Sequence, residues 1–249
     1  MVLKDRLDQI LLRRKMAPTI ENARAMIYAG EVYLDEQISD KPGRLCSKDV
    51  TIRIKEKCRY VSRGGLKLEK ALSHFSISPS GLHCMDIGAS SGGFTDCLLQ
   101  HNARKVHAVD VAYGQLAWKI RQDARVVVIE RFNARHISSA DIKNELIDLA
   151  VMDVSFISLT TLLPPVSKLF AQNVAIVALI KPQFELPREL VGPGGVVTET
   201  SLHQQAIAKI ESFIQESGLR SKGVVASPIL GPKGNREFLI YITSGEHSI

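Results

Sequence analysis

The sequence predicts an α/β protein: an open, mostly parallel sheet wound on both faces, preceded by a smaller α+β unit. Three observations carry that expectation. Met85-Asp-Ile-Gly-Ala-Ser-Ser-Gly-Gly-Phe-Thr-Asp96 reads as a strand, a glycine-rich turn and the start of a helix. From Leu82 onward, apolar runs ending at Asp86, Asp110, Glu130, Asp153 and Lys181 alternate with helical stretches, the pattern of parallel strands joined by crossovers. Residues 1–63 hold 14 of the 32 Lys and Arg but only 9 of the 26 Asp and Glu, so nearly all of the net charge of +6 belongs to the first quarter.

Bulk properties set the frame. With 249 residues, 45% hydrophobic and 23% charged, the chain can form one large and one small domain with ample core. No apolar run is long enough to span a bilayer, and residues 1–8 alternate charged with apolar residues, unlike a secretion signal. Stable membrane insertion is therefore not expected. Cys46, Cys58, Cys84 and Cys97 have neither paired nor zinc-ligand spacing, so a metal site is not expected and reduced thiols in a cytoplasmic protein are.

The elements of the first domain follow from local patterns. Residues 5–16 place Leu7, Ile10, Leu11 and Leu12 at helical spacing, and Pro18-Thr19 ends that helix. A second helix covers residues 21–29 and stops at Gly30; Val32-Tyr-Leu34 reads as a strand, Lys41-Pro-Gly43 as a turn, and residues 50–54 as another strand. The basic end of the first helix, Arg13-Arg14-Lys15, can grip phosphates or simply complement the helix dipole. A basic excess gathered in one small segment points to a polyanion-binding module and to nucleic acid.

Domain boundaries are expected at residues 1–58, with a linker over 59–64 and the larger domain over 65–249; Gly64-Gly65 marks a hinge-like boundary. A helix follows over residues 67–74. Further helices are predicted over 94–100, 115–121, 159–170 and 201–217. Strands over 221–227 and 237–243, joined by a loop without a helix, add an antiparallel pair at the sheet edge.

The turn after the first strand of that sheet is where a nucleotide-like ligand lies in such folds. Gly88, Gly92 and Gly93 allow close backbone approach, with Ser90 in place of the middle glycine of a dinucleotide fingerprint and Phe94 opening the helix. Asp86 is expected to point into the turn, where a carboxylate would repel a pyrophosphate and attract a sulfonium or ammonium such as that of S-adenosylmethionine. Asp110, 24 positions later, is placed to accept from ribose hydroxyls or to serve as a helix cap, with Val111 beside it, and Asn133 can meet the adenine edge or equally hold a turn. Asp153, Lys181 and Glu237 end or begin strands and, with Lys67, form a lysine–aspartate–lysine–glutamate set. Such a set can be inter-strand ion pairs. It can also draw the proton from a ribose 2′-hydroxyl, provided one amine is held neutral.

Two resemblances sharpen this. Arg6-Leu-Asp8, Arg24-Ala25, Gly30-Glu-Val32 and Lys41-Pro-Gly43 resemble the RNA-binding domain named after ribosomal small-subunit protein four, although Thr19-Ile20 stands where that family carries Ser-Arg. The whole chain is similar to the TlyA, or hemolysin A, family of ribosomal RNA 2′-O-methyltransferases. The matching blocks are Tyr60-Val-Ser-Arg-Gly-Gly-Leu-Lys-Leu68, the run from Met85, Asp153-Val-Ser-Phe-Ile-Ser158, Leu179-Ile-Lys-Pro-Gln-Phe-Glu185, Gly194-Gly-Val-Val197 and Pro232-Lys-Gly-Asn-Arg-Glu-Phe238.

The resemblance implies a Rossmann-like seven-stranded S-adenosylmethionine-dependent methyltransferase fold with a small N-terminal α+β RNA-binding domain. It implies S-adenosylmethionine as cofactor and ribosomal RNA or ribosomal subunits, and not DNA, as partner. It also implies a catalytic tetrad of Lys67, Asp153, Lys181 and Glu237, with Asp153 touching the cofactor too. Lys181 is expected to be the base. Arg6, Arg24 and Lys41 join the basic helix end as RNA contacts, and Arg59 and Arg63 are expected to couple RNA binding to cofactor binding. Pro193 and Thr198 replace basic residues expected in relatives, so that loop is expected to add no RNA contact. A nicotinamide-dependent oxidoreductase, a membrane-active hemolysin and a non-catalytic ribosome assembly factor stay open as alternatives.

Overall fold

The computed structural model describes residues 4–55, 58–171 and 173–245; residues 1–3 of the amino-terminal stretch considered above lie outside them. The chain divides into two units, Met1–Cys58 and Arg59–Ile249.

The first unit contains β1 (Lys4–Arg6), α1 (Leu7–Arg13), α2 (Ile20–Tyr28), β2 (Val32–Leu34), β3 (Gln37–Ile38), β4 (Leu45–Ser47) and β5 (Ile52–Ile54). The first helix starts at Leu7 and not at Asp5, because residues 4–6 instead pair antiparallel with β4. β2 lies between β3 and β5 in a second small sheet. Leu7, Leu11, Ala23, Ile27 and Val32 are fully buried and make the core. Thr19 caps α2 by accepting from the Asn22 amide at 3.2 Å, and Gly30, at φ +66°, ends it.

One buried charge in this unit has a pH consequence. The Asp8 carboxylate accepts from Arg6 Nε and Nη2 at 3.0 and 2.8 Å and from Arg24 Nε at 3.0 Å. The Arg6 hydrogen bonds above all, aided by Arg24 and opposed by burial, hold its pKa down at about 2. A carboxylate depressed in the folded state stabilises above its unfolded value near ~4, and that contribution is lost as pH falls toward about 2. Asp8→Asn is therefore expected to speed amide exchange in α1 and α2 at pH 7, with the gap to wild type shrinking toward pH 3. A gap that did not depend on pH would contradict this account.

The second unit contains α3 (Gly64–His74), β6 (His83–Ile87), α4 (Gly93–Gln100), β7 (Lys105–Val109), α5 (Trp118–Arg121), β8 (Val126–Ile129), β9 (Leu149–Met152), α6 (Leu159–Ser167), β10 (Ala175–Ile180), α7 (Pro182–Glu185), α8 (Thr200–Glu216), β11 (Leu219–Ala226) and β12 (Phe238–Ser244). The seven-stranded sheet runs β11-β12-β10-β9-β6-β7-β8. β10, β9, β6, β7 and β8 are mutually parallel, whereas β12 is antiparallel to both β10 and β11.

Strand periodicity divides the core. Met85, Ile87, Ala150, Met152, Ile176 and Ala178 face one layer, with Leu159 of α6 and Ile210 and Ile214 of α8. Cys84, Val106, Ala108, Leu149, Val151 and Val177 face the other, with Leu68 and Leu72 of α3 and Leu98 of α4. Each fully buried Leu or Ile contributes about 1.5–3 kcal/mol. Both faces are covered, which is why these strands read as continuous apolar runs.

Three elements differ from expectation. Gly64 and Gly65 open α3 and do not form a hinge; a Cβ on Gly65 would stand 2.3 Å from the Tyr60 ring, so the glycine is needed for packing. The helix expected over 115–121 is only Trp118–Arg121, because the Ala117 amide donates to the Ser91 carbonyl and holds the preceding residues as a loop against the glycine turn. α6 stops at Ser167, soon after Pro164 and Pro165 remove two helical donors.

Candidate active site

β6 delivers the chain into a turn at the carboxyl edge of the sheet. Gly88, Ser90 and Gly92 all take left-handed backbone, at φ +82°, +48° and +90°, before α4 opens at Gly93. A Cβ on Gly88 would lie 2.5 Å from the Asp153 carbonyl oxygen, so only glycine lets the turn rest on the end of β9. Asp110, just past β7, accepts from the Ser90 amide at 2.7 Å and from the Ala112 amide at 2.8 Å. One carboxylate thereby laces two strand-end loops together.

Two cavities open there. The larger, about 500 Å³, is bounded by Gly88, Ser90, Asp110, Val111, Asn133 and Asp153, with Ile87, Val109, Phe132 and Leu162 as apolar wall. The smaller, about 310 Å³, is bounded by Arg63, Lys67, Gly93, Phe94, Lys181 and Gly231. Gly88, Ser90, Asp153 and Ser155 border both, so the two spaces meet at the end of β9.

The four tetrad residues come together at that junction although they span 170 positions of sequence. Lys181 Nζ lies 2.6 Å from Asp153 Oδ1, and Lys67 Nζ lies 2.6 Å from Glu237 Oε2 and 3.5 Å from Asp153 Oδ2. Lys67 and Lys181 are each 7% exposed, and Glu237 is 1% exposed. Two cations and two anions cancel, which is what allows charges to be held out of water here. The Lys67–Glu237 contact is ionic and not a well-aligned hydrogen bond: among the described residues neither Glu237 oxygen finds a directed donor. Gly231 makes room for that carboxylate, since a Cβ there would stand 2.2 Å from Glu237 Oε1.

Several expected site residues sit differently. Asp86 does not point into the turn. Its carboxylate is fully buried on β6, accepts from Thr95 Oγ1 at 2.6 Å and borders neither cavity. Burial first, then repulsion from Asp153 and Asp110, outweighs the Thr95 hydrogen bonds and pushes its pKa up to about 7. It acts on the turn as a structural acceptor for α4. Gly92 borders neither cavity; it packs against Leu116, which a Cβ would approach to 2.9 Å. Asn133 borders the larger cavity while its side-chain oxygen caps a short turn through the Arg135 amide at 3.1 Å.

The basic residues expected to meet RNA are more engaged than the sequence suggests. Arg6 and Arg24 clamp Asp8, Arg13 pairs with Asp5, and Arg14 donates to the carbonyls of Val50 and Lys48. Their guanidinium groups are thus partly spent on their own unit, although Arg6, Arg13 and Arg24 stay about half exposed. Lys15 and Lys41 are exposed. Arg59 pairs with Glu69 at 2.5 Å and donates to Gln100 Oε1 at 3.2 Å, while Arg63 is exposed at the edge of the smaller cavity.

Sequence reasoning missed three residues. Ser155 Oγ accepts from Lys181 Nζ at 3.0 Å. Glu185, 3% exposed, accepts from Ser158 Oγ at 2.5 Å and from the Leu159 amide at 2.9 Å, tying the segment after Lys181 to the segment after Asp153. Phe156, at φ +65° and 89% exposed, stands beside the junction with its ring 5.0 Å from Phe184. All three lie inside the sequence blocks 153–158 and 179–185, which was the available signal.

Residues 60–243 match the profile of the FtsJ-like methyltransferases. The chain belongs to that family. Residues 5–52 of this FtsJ-like methyltransferase match the S4 domain. It is 47% identical over 240 residues to YqxC of Bacillus subtilis, a presumed rRNA methyltransferase, covering 96% of this chain and 85% of that one. It is 43% identical over 244 residues to the 16S/23S rRNA (cytidine-2′-O)-methyltransferase TlyA of Mycobacterium tuberculosis, covering 97% and 91%. A solved structure of a presumed hemolysin from Streptococcus thermophilus superposes with a TM-score of 0.76 at 42% identity, covering 99% and 90%. Among the described residues no helix of this FtsJ-like methyltransferase is long and apolar enough to cross a membrane.

Proposed function

We propose that this protein transfers a methyl group from S-adenosylmethionine to the 2′-hydroxyl of a cytidine in ribosomal RNA. The observation that carries the reading is the Lys67–Asp153–Lys181–Glu237 cluster at the meeting point of two cavities, one suited to the donor and one to the acceptor ribose.

The larger cavity fits an adenosine-bearing cation. Asp110 offers acceptor oxygens fixed by two backbone amides, Asn133 an amide edge, and Ile87, Val109, Phe132 and Leu162 an apolar wall for a base. Asp110 and Asp153 border the space, a surrounding that favours a sulfonium and disfavours the pyrophosphate of a nicotinamide cofactor. When bound, the donor supplies an electrophilic methyl whose bond to sulfur breaks as the new bond to oxygen forms, leaving a neutral thioether.

The protein's part is proton management and positioning. Lys181 Nζ, once it has given its own proton to solvent, takes the proton from the ribose 2′-oxygen as that oxygen attacks. Asp153 orients the Lys181 amine and stabilises the ammonium produced, which then releases its proton to solvent. Lys67, held by Glu237, places a second positive charge against Asp153 and near the developing negative charge on oxygen. Phe156 offers an exposed ring on which the target base can stack once drawn out of the RNA. The S4 domain brings a basic, half-exposed surface for phosphates, and the action on ribosomal RNA puts the protein where ribosomes are.

The test is incubation of the full chain with methyl-labelled S-adenosylmethionine and isolated ribosomal subunits, followed by mapping of ribose methylation. Label at one or a few cytidine 2′-oxygens is expected. Tight donor binding with no incorporation into either subunit would instead favour a non-catalytic assembly factor.

A further inference from the structure

We propose that Ser155 is a positioning residue that aims the Lys181 amine at the acceptor ribose. The inference rests on the reading of Lys181 as the proton acceptor and adds a residue that family resemblance does not place in the tetrad.

A neutral amine has two hydrogens and one lone pair arranged tetrahedrally about nitrogen. To act as a base, Lys181 must turn that lone pair toward the incoming hydroxyl, yet rotation about the Cε–Nζ bond would otherwise scatter it. Lys181 Nζ makes an ionic contact with Asp153 Oδ1 at 2.6 Å that is not aligned as a hydrogen bond, and a directed hydrogen bond to Ser155 Oγ at 3.0 Å. Asp153 alone holds the nitrogen by charge and leaves the amine free to swivel. With Ser155 taking one N–H and the Asp153 charge drawing the other, the remaining tetrahedral direction is left to the lone pair. Lys181 borders the smaller cavity, so that direction is the one left for the ribose.

Placement supports this role. Ser155 borders both cavities, two residues beyond Asp153 and next to Phe156, whose left-handed backbone turns the chain sharply at this point. The Glu185 carboxylate holds the same loop at Ser158 and Leu159 and sits four residues beyond Lys181. The two partners and the lysine therefore ride on segments tied together from behind. A hydroxyl also suits the task better than a second carboxylate would. It accepts an N–H without adding negative charge beside the amine, which would favour the protonated, inactive form.

The test compares Ser155→Ala and Ser155→Thr with wild type in methyl transfer to ribosomal subunits. Ser155 is solvent-exposed and makes no core contact, so both variants are expected to keep the wild-type thermal midpoint. Calorimetry should show S-adenosylmethionine binding within about twofold of wild type. Ser155→Ala is expected to lose roughly 10- to 50-fold in kcat with KM for both substrates nearly unchanged, the mark of an interaction that matters in the transition state. Ser155→Thr, which keeps the hydroxyl, is expected to recover most of that loss. Unchanged kcat in Ser155→Ala, a loss confined to KM, or a Ser155→Thr variant no better than the alanine would each overturn the proposal. Lys181→Ala, run alongside, separates the two claims: if it stays active the base assignment fails, whereas an inactive Lys181→Ala beside a fully active Ser155→Ala sinks only the role of Ser155.

Discussion

Lys181→Ala is expected to lower methyl transfer by about 10³-fold, within the range by which a positioned general base contributes, while leaving donor affinity within a few-fold of wild type. The lysine is 7% exposed and faces the junction of the two cavities, so its loss removes the proton acceptor without touching the walls of the larger cavity. Asp153 would retain Lys67 at 3.5 Å and would not become an uncompensated buried charge. Lys181→Met is the companion variant, since it preserves most of the volume and should show the same kinetic defect. Single-turnover rates with saturating donor and ribosomal subunits read the chemical step directly. Activity above one-tenth of wild type in both variants would remove Lys181 from the mechanism.

Gly231→Ala is the second large effect, and it comes from a residue with no chemistry of its own. Its added methyl would stand 2.2 Å from Glu237 Oε1 and 2.5 Å from the carboxylate carbon. Glu237 is 1% exposed and has little room to retreat, so the methyl must push the carboxylate off its 2.6 Å contact with Lys67 or displace the loop itself. Overpacking of this kind costs about 1–3 kcal/mol of stability. Because Lys67 also faces Asp153, the disturbance is expected to spread through the tetrad and reduce kcat by at least ~10²-fold, the lower bound for losing one preorganised electrostatic contact. Thermal unfolding and donor calorimetry should show a folded protein that still binds S-adenosylmethionine. A Gly231→Ala variant with wild-type kcat would mean that Glu237 does not support the reaction through Lys67.

Much of this was legible in the chain itself, and the reasons are specific. The parallel strands were readable because both faces of the sheet are covered, so that runs such as Leu149–Met152 and Ala175–Ile180 are apolar throughout. The terminal antiparallel pair, β11 and β12, was readable because no α-helix separates residues 226 and 238, only a short 3-10 turn at Pro232–Gly234. The convergence of Lys67, Asp153, Lys181 and Glu237 was anticipated from strand ends and resemblance together. The short β1, β3 and β4 were not anticipated: Lys4-Asp-Arg6, Gln37-Ile38 and Leu45-Cys-Ser47 lack the apolar residues at both ends that made Val32-Tyr-Leu34 and Ile52-Arg-Ile54 readable.

The side-chain errors share a cause. Asp86 was expected in the turn because it ends an apolar run, but β6 continues to Ile87 and turns the carboxylate inward to Thr95. Gly64-Gly65 looked like a break because two glycines carry no propensity information about a tertiary neighbour; the ring of Tyr60 supplied the reason. Arg6, Arg13, Arg14 and Arg24 were counted as free charge, whereas their partners Asp5, Asp8 and the carbonyls of residues 48 and 50 are known only once the chain has closed.

The contact between Gly88 and the Asp153 carbonyl oxygen ties the donor-side turn to the strand end that carries the acceptor-side carboxylate. Any side chain at position 88 would wedge these apart, so a single replacement there injures both halves of the reaction at once. Replacements at exposed residues that border one cavity only, Asn133 on the larger and Leu230 on the smaller, are expected to retune one affinity and leave the other. Partial activity is expected from changes at those positions, and complete inactivation from replacement of the glycine.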